Sequence, residues 1–368
     1  MKPAENLEIP RRIVGRFMAP PLPPDGSFAG QTVLIVGGTS GIGHAAAAHF
    51  AALGADVIIT YRVASRGEAA KRYIENAVSQ KAPGRNSKSS VVSVKTLMLD
   101  LESYTSCTSF IDELRTLLSG PEKLDVVVIS AGMVNPEYGL SPEGWERTIQ
   151  VNTISTALLG LLLLHWMRDG REQRSEPAHL VFVTSRDHLH PDINALAALA
   201  KKEGGALKQV CKKENWPGFY EEMEPNYAVS KLFVMYAIEE ISKLARGPDG
   251  RPLVIVNSLC PGYVRTNIGR NIAARSWIMG ILVNIYLAVI GKTPEHGARI
   301  CTTVALKSEE HHGEFFNYWL SPSLYSRVAA ANMTSDTARE VQRLVWQDIV
   351  DELTAKVSQV DWLVNSVV

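Results

Sequence analysis

The chain has 368 residues, 38 basic and 38 acidic side chains and 46% hydrophobic residues. A neutral balance without a basic stripe argues against nucleic acid or an acidic surface as the main partner. Cys107, Cys211, Cys260 and Cys301 lack CxxC spacing, which argues against a zinc site or a disulfide framework and for free thiols in a reducing, cytoplasmic compartment.

Residues 1–29 read as an arm. Glu5 and Glu8 and the lack of an apolar core argue against a secretory signal. Met18–Pro24 favours extended polyproline conformation and ends at the turn signal Asp25-Gly26. The main domain is expected over 30–320 and a helical extension over 321–368.

Thr32–Val36 is a short apolar run, as expected of a strand buried on both faces. The turn Gly37-Gly-Thr-Ser-Gly-Ile-Gly43 follows, then a helix over His44–Leu53. Glycines between a buried strand and a helix let the backbone approach a pyrophosphate, with the helix amides facing the phosphates. Gly37, Thr39, Ser40, Gly41, Ile42 and Gly43 are therefore candidate cofactor contacts. Asp56–Tyr61 reads as the second strand. Many enzymes that bind NAD carry an acid at its end, whereas this chain has Arg62. A guanidinium there pairs with a 2′-phosphate and favours NADP(H) over NAD(H), with Arg66 as a helper. A solvated loop arginine is the plainer alternative.

The alternation continues. Helices are expected over Glu68–Gln80, Ser106–Leu118, Pro142–Leu164, Asn226–Ala245 and Pro294–Leu306. Strands are expected over Val91–Leu99, Leu124–Ser130, Leu180–Thr184, Leu253–Leu259 and Glu314–Trp319. Strands alternating with helices mean an α/β fold with a parallel sheet covered on both faces. Two segments interrupt the pattern. An insert over 188–225 carries a helix at Asn194–Lys213 and an aromatic patch of Trp216, Phe219 and Tyr220. An apolar stretch, Trp277–Ile290, falls short of the ~20 residues a spanning helix needs and reads as a substrate lid over 268–292, with contact at a membrane surface second. The tail Asp336–Leu353 is amphipathic, with Val341, Leu344, Val345, Ile349 and Leu353 near one face. It is expected to pack on the domain or on a partner subunit.

Tyr227 and Lys231 lie four residues apart on a predicted helix and share one face. A free tyrosine, with a pKa of about 10, is a poor proton shuttle near neutrality. A neighbouring ammonium stabilises the phenolate and lowers that value. Such pairs arise often by chance. Position after the fifth strand of a nucleotide-binding sheet gives this one its meaning. Ser185 ends that strand, and its hydroxyl can donate to an oxygen on which negative charge develops, with Thr184 as the alternative.

The glycine spacing, Asn152 in Val151-Asn-Thr153, Ser185 and Tyr227-Ala-Val-Ser-Lys231, in this order along the chain, resemble the short-chain dehydrogenase/reductase superfamily. The resemblance covers Gln31–Trp319 and implies a Rossmann-type doubly wound sheet of about seven strands. It implies a catalytic tetrad of Asn152, Ser185, Tyr227 and Lys231, with Asn152 holding a water beside the lysine. It assigns Asp100 and Leu101 to the adenine, Ala131 and Gly132 to the ribose, and Pro261, Gly262, Val264 and Thr266 to the nicotinamide and phosphate side. The family's asparagines before Ala131 are replaced by Ile129 and Ser130. The 42 residues from Ser185 to Tyr227 resemble the retinol-dehydrogenase-like branch and reductases of fungal secondary-metabolite pathways.

The expected activity is reduction of a bulky, mostly apolar ketone or aldehyde by NADPH, or its reverse. A nucleotide-binding sensor without turnover and an epimerase or dehydratase are the alternatives. No metal is expected. His188 and His190 are expected to be exposed loop residues, with substrate contact as the sharper reading. Family members often pair through the tyrosine helix and the long helix before it, which leaves two readings open: a homo-oligomer through that face, or an extended tail that blocks or replaces the contact.

Overall fold

The computed structural model describes residues 17–81, 92–216, 225–266, 290–318 and 320–365. Seven strands form one sheet: β1 Thr32–Val36, β2 Asp56–Tyr61, β3 Val94–Met98, β4 Val126–Ile129, β5 Ala178–Val183, β6 Val254–Leu259 and β7 Phe315–Phe316. Their order is β3-β2-β1-β4-β5-β6-β7, and every pairing is parallel. Crossovers reverse direction between β1 and β4, which opens a crevice beyond the carboxyl ends of those two strands. In β1, Val33 and Ile35 join one core cluster while Leu34 and Val36 join the other. This is why its sequence is apolar throughout: both faces are covered.

Helices α1 Gly41–Ala52, α2 Ala64–Lys81 and α8 Pro294–Val304 cover one face. The other is covered by α3 Tyr104–Leu118, the long helix α4 over Arg147–Asp169 and α7 Pro225–Leu244. Among the described residues α4 is the one helix long and apolar enough to cross a membrane, and its apolar window is 94% buried inside the fold. Its composition reflects a core position rather than a lipid-facing one.

Four elements depart from the sequence expectations. The helix expected from Pro142 begins at Arg147, because Ser141–Trp145 forms a turn and Glu146 caps the helix. The helix expected over Asn194–Lys213 is two, α5 Ile193–Ala200 and α6 Gly205–Val210. Gly204 and Gly205, at φ +89° and +77°, break it, since a left-handed pair cannot continue a right-handed helix. The last strand is only two residues long, and a further helix, α9 Pro322–Met333, precedes the tail helix α10 Asp336–Lys356.

The tail packs on its own chain. Val341, Val345, Ile349 and Leu353 are buried, α10 lies against α5, α6 and α7, and Trp362 stacks on His165 of α4 at 5.0 Å. The tail thus occupies part of the surface where the resemblance places a second copy. The Glu352 carboxylate accepts from the Tyr104 hydroxyl at 3.0 Å and the Trp145 indole at 2.9 Å, which fastens α10 to α3 and to the turn before α4. Residues 1–16 of the arm, Phe219 and Tyr220 of the aromatic patch, Trp319, and 268–289 of the expected lid lie outside the described residues.

Candidate active site

The glycine turn is shaped for close approach. Gly37 has φ +87°, and a Cβ there would stand 2.9 Å from Ala131 backbone atoms. A Cβ on Gly43 would run into the Gly37 carbonyl oxygen. The Gly37 amide donates to Thr60 Oγ1 at 2.9 Å, tying the turn to the end of β2. Ser40 sits at the N-cap of α1 without a side-chain bond to the helix, so its hydroxyl leaves the first-turn amides uncapped. That is the environment a pyrophosphate needs, and the chain's residues fit a dinucleotide here.

A cavity of about 620 Å³ extends from this turn. Every candidate residue of the turn lines it, as do Arg62, Arg66, Asp100 and Leu101 at the ends of β2 and β3. Ala131, Gly132 and Thr266 line its other side. Thr266 faces Gly41, whose Cβ would lie 3.1 Å from the threonine methyl. Pro261, Gly262 and Val264 stand outside the lining. Gly262 turns at φ +82°, Val264 packs towards Gly297, and the Pro261 carbonyl accepts from the buried Lys292 ammonium at 3.3 Å.

Arg147 and Glu102 were not legible as site residues. Arg147 lines the cavity and grips Glu102 with two bonds, at 2.9 and 2.7 Å. Arg62 reaches the same carboxylate at 3.4 Å while remaining half exposed. One acid thus neutralises part of a two-arginine cluster at the β2–β3 end of the cavity. Asp100 accepts from the Glu102 amide at 3.0 Å and holds that turn in place.

Asn152 lies in a π-helical segment of α4, Gln150–Ile154. Its Oδ1 accepts from the Met133 amide at 2.9 Å, and its Nδ2 donates to the Met133 carbonyl at 2.8 Å and to Ser230 Oγ at 3.0 Å. Its side chain thus joins the end of β4 to α4 and α7. Glu146 does similar work at the helix starts. It is wholly buried and accepts from the Thr148 and Ile149 amides and from Asn226, the neighbour of Tyr227. Burial pushes its pKa up, against those donors.

Lys231 is buried, with Nζ 5.5 Å from the centre of the Tyr227 ring. A Cβ on Gly132 would lie 3.6 Å from that Nζ and 3.3 Å from Asn152 Oδ1, so both side chains stand behind the glycine that walls the cavity. Burial lowers the Lys231 pKa to about 8, while Cys260 and Asp187 act to raise it. Ser185 caps the short 3-10 turn Arg186–Leu189, which packs against α7. Its hydroxyl donates to Asp187 Oδ2 at 2.8 Å. Asp187 was missed, although an acid two residues after a strand-end serine is a recognisable capping signal. Thr184 donates to the Leu259 carbonyl at 3.1 Å and is buried, which commits it to the join between β5 and β6.

His188 corrects its sequence expectation. It is wholly buried, because its ring sits under Phe315 and Tyr325. Burial lowers its pKa to about 4, so it is neutral. His190 keeps to the surface, 3.8 Å from Asp187.

A family model described as short chain dehydrogenase matches residues 31–207. The short-chain dehydrogenase/reductase ffsI of Aspergillus flavipes is 34% identical over 352 residues, covering 94% of this chain and 92% of the relative. The chain belongs to the short-chain dehydrogenase/reductase family. Like its relatives, this dehydrogenase/reductase is an oxidoreductase. A second fungal relative, phmF of Phaeosphaeria nodorum, is 31% identical and covers 93% of this chain and 92% of its own. Among solved structures, L-sorbose reductase from Gluconobacter frateurii, complexed with NADPH and L-sorbose, has a TM-score of 0.56 at 18% identity. That match covers 80% of this chain and 98% of the reductase. The Pseudomonas aeruginosa RhlG/NADP complex has a TM-score of 0.54 at 20% identity, over 81% of this chain and all of that one. These two likenesses concern the fold.

Proposed function

We propose that this short-chain dehydrogenase/reductase interconverts a ketone or aldehyde and an alcohol with NADP(H), using Tyr227 as the general acid and base. The observation that carries the reading is the buried Lys231 beside the Tyr227 ring, behind the Gly132 wall of a glycine-lined cavity. A bound nicotinamide nucleotide would supply or accept the hydride. The glycine turn would hold its pyrophosphate, Ala131 and Gly132 its ribose, and Pro261, Gly262, Val264 and Thr266 its nicotinamide side. Tyr227 gives its proton to the substrate oxygen as the carbonyl carbon is reduced. The Lys231 ammonium makes the resulting phenolate less costly. Ser185 turns its hydroxyl from Asp187 to the substrate oxygen. The Asn152 side chain is engaged at both ends, so its part in re-protonating Lys231 includes holding Met133 in register.

Arg62, with Arg66 nearby and no acid at the end of β2, supports NADPH over NADH. The NADPH and NADP named with the two solved neighbours agree with that choice. For the substrate we read a bulky, mostly apolar carbonyl. The aromatic content of the insert, where Trp216 packs on the Tyr138 ring at 6.1 Å, supports that reading. Fungal relatives along nearly the whole chain support a role in secondary metabolism. The four cysteines are free and buried, which supports a cytoplasmic location.

The test is NADPH consumption with a panel of bulky apolar ketones and aldehydes, alongside cofactor titration. Tyr227→Phe is expected to lower turnover by about 10²-fold or more while NADPH affinity stays close to wild type. Residual activity near wild type would remove Tyr227 as the acid. Tight NADPH binding with no turnover of any carbonyl would favour a sensor instead. In the same titrations, Arg62→Ala should weaken NADPH about tenfold more than NADH, from loss of a charge-assisted phosphate contact. An equal loss for both nucleotides would remove Arg62 as the discriminating residue.

A further inference from the structure

Helix α9 reaches the turn that carries Ser185 by way of a buried histidine. The His188 Nδ1 lies 2.6 Å from the Ser185 carbonyl oxygen. A carbonyl only accepts, so Nδ1 carries the proton. In the neutral ring Nε2 then accepts, and its partner is the Tyr325 hydroxyl at 3.0 Å. Tyr325 therefore donates to His188, and His188 donates to Ser185. From the next turns of α9, Asn332 Nδ2 donates to the carbonyls of His188 and Pro191, at 3.1 and 3.0 Å. Phe315 closes the side of this arrangement, edge-on to His188 at 5.2 Å and stacked on Tyr325 at 4.7 Å.

We propose that Tyr325 and Asn332 are positioning residues that act through His188 to fix the backbone of Ser185. This inference rests on the reading of Ser185 as the group that polarises the substrate oxygen. The geometry suits that task. Ser185 must swing its hydroxyl from Asp187 to a substrate while its Cα stays still. The contacts from α9 end on main-chain carbonyls and on His188, while the Ser185 Oγ bonds only the side chain and amide of Asp187 among the described contacts. A short 3-10 turn has few bonds of its own to hold it, so an outside anchor sets its position.

The experiment is a double-mutant cycle in the full chain. Tyr325→Phe keeps the ring and deletes the donor. It is made in the wild type and in Ser185→Ala, and assayed well below the melting temperature of each protein. Positioning predicts that kcat falls on the order of tenfold, as expected for a misplaced catalytic group, with NADPH affinity unchanged. It also predicts that the loss disappears when Ser185 is already alanine. An equal fold-loss in both backgrounds, or a lower melting temperature with unchanged kcat, overturns it. Asn332→Ser is the second variant should Tyr325→Phe fail to fold, and the same cycle applies. Amide hydrogen exchange gives a readout independent of turnover. Faster exchange over residues 186–190 with β5 unchanged supports the brace, and unchanged exchange there overturns it. If the wild type reduces no carbonyl, the reading of activity fails, and exchange still decides on the brace.

Discussion

Lys231 shows how far one side chain can be taken from its behaviour in water. Removal from solvent brings its pKa down from 10.5 to about 8. Between those values the unfolded chain binds a proton that the folded chain has released, so folding stability rises with pH across that window. Below it, the fold carries the cost of a buried ammonium. In the mechanism proposed above catalysis runs the other way, because there only the charged form supports Tyr227. The rate of carbonyl reduction is therefore expected to fall as pH rises through about 8. Of the two groups that raise the lysine's pKa, the Cys260 thiol is itself pushed up to about 11 by burial and stays neutral there. Asp187 is then the charged neighbour, and Asp187→Asn should move the descending limb of the pH–rate profile to lower pH. A limb that stays in place would show that Asp187 does not act on Lys231.

At the scale of elements, the glycine cradle is a strand, a turn and a helix made to meet without side chains between them. Gly43 belongs to α1, yet its missing Cβ is what lets the Gly37 carbonyl pass. Gly43→Ala must push the turn away from the helix. The expected result is loss of NADPH affinity by at least tenfold with the circular dichroism of the fold retained, since the core strands do not depend on that contact. Retained affinity would mean that the turn has room to shift. This element was legible from sequence because each part is a local signal: an apolar run, glycines at fixed spacing, helix formers after them. The long helix was less so. Nothing local marks Glu146 as a buried cap shared with Asn226, 80 residues away, or Gln150–Ile154 as a π segment. The Gly204–Gly205 break escaped the reading of one helix over Asn194–Lys213, and its left-handed geometry goes with the nearby Asp348 of α10, which accepts from the Leu207 amide at 3.0 Å.

For the whole molecule, what could be read was the sheet and the motifs that line its crevice, since alternation and spacing encode them directly. What escaped reading was whatever depends on elements distant in sequence meeting in space. Arg147 looks like an ordinary helix-start residue until β3 brings Glu102 to it. His188 looks like a loop residue until α9 covers it. The tail shows the same limit. Its apolar stripe predicts that it packs, yet not that Glu352 reaches Tyr104 on α3 and Trp145 in the turn before α4.

The 137 positions between His188 and Tyr325 also set an order in time. A ribosome adds about 5–20 residues each second, so the serine turn emerges on the order of ten seconds before the tyrosine that steadies it. During that interval β1 to β5 and the glycine cradle have already been synthesised. On the function proposed above, the chain would then hold coenzyme before it could turn over substrate, and nucleotide captured at that stage would stabilise a half-made fold until α9 arrives.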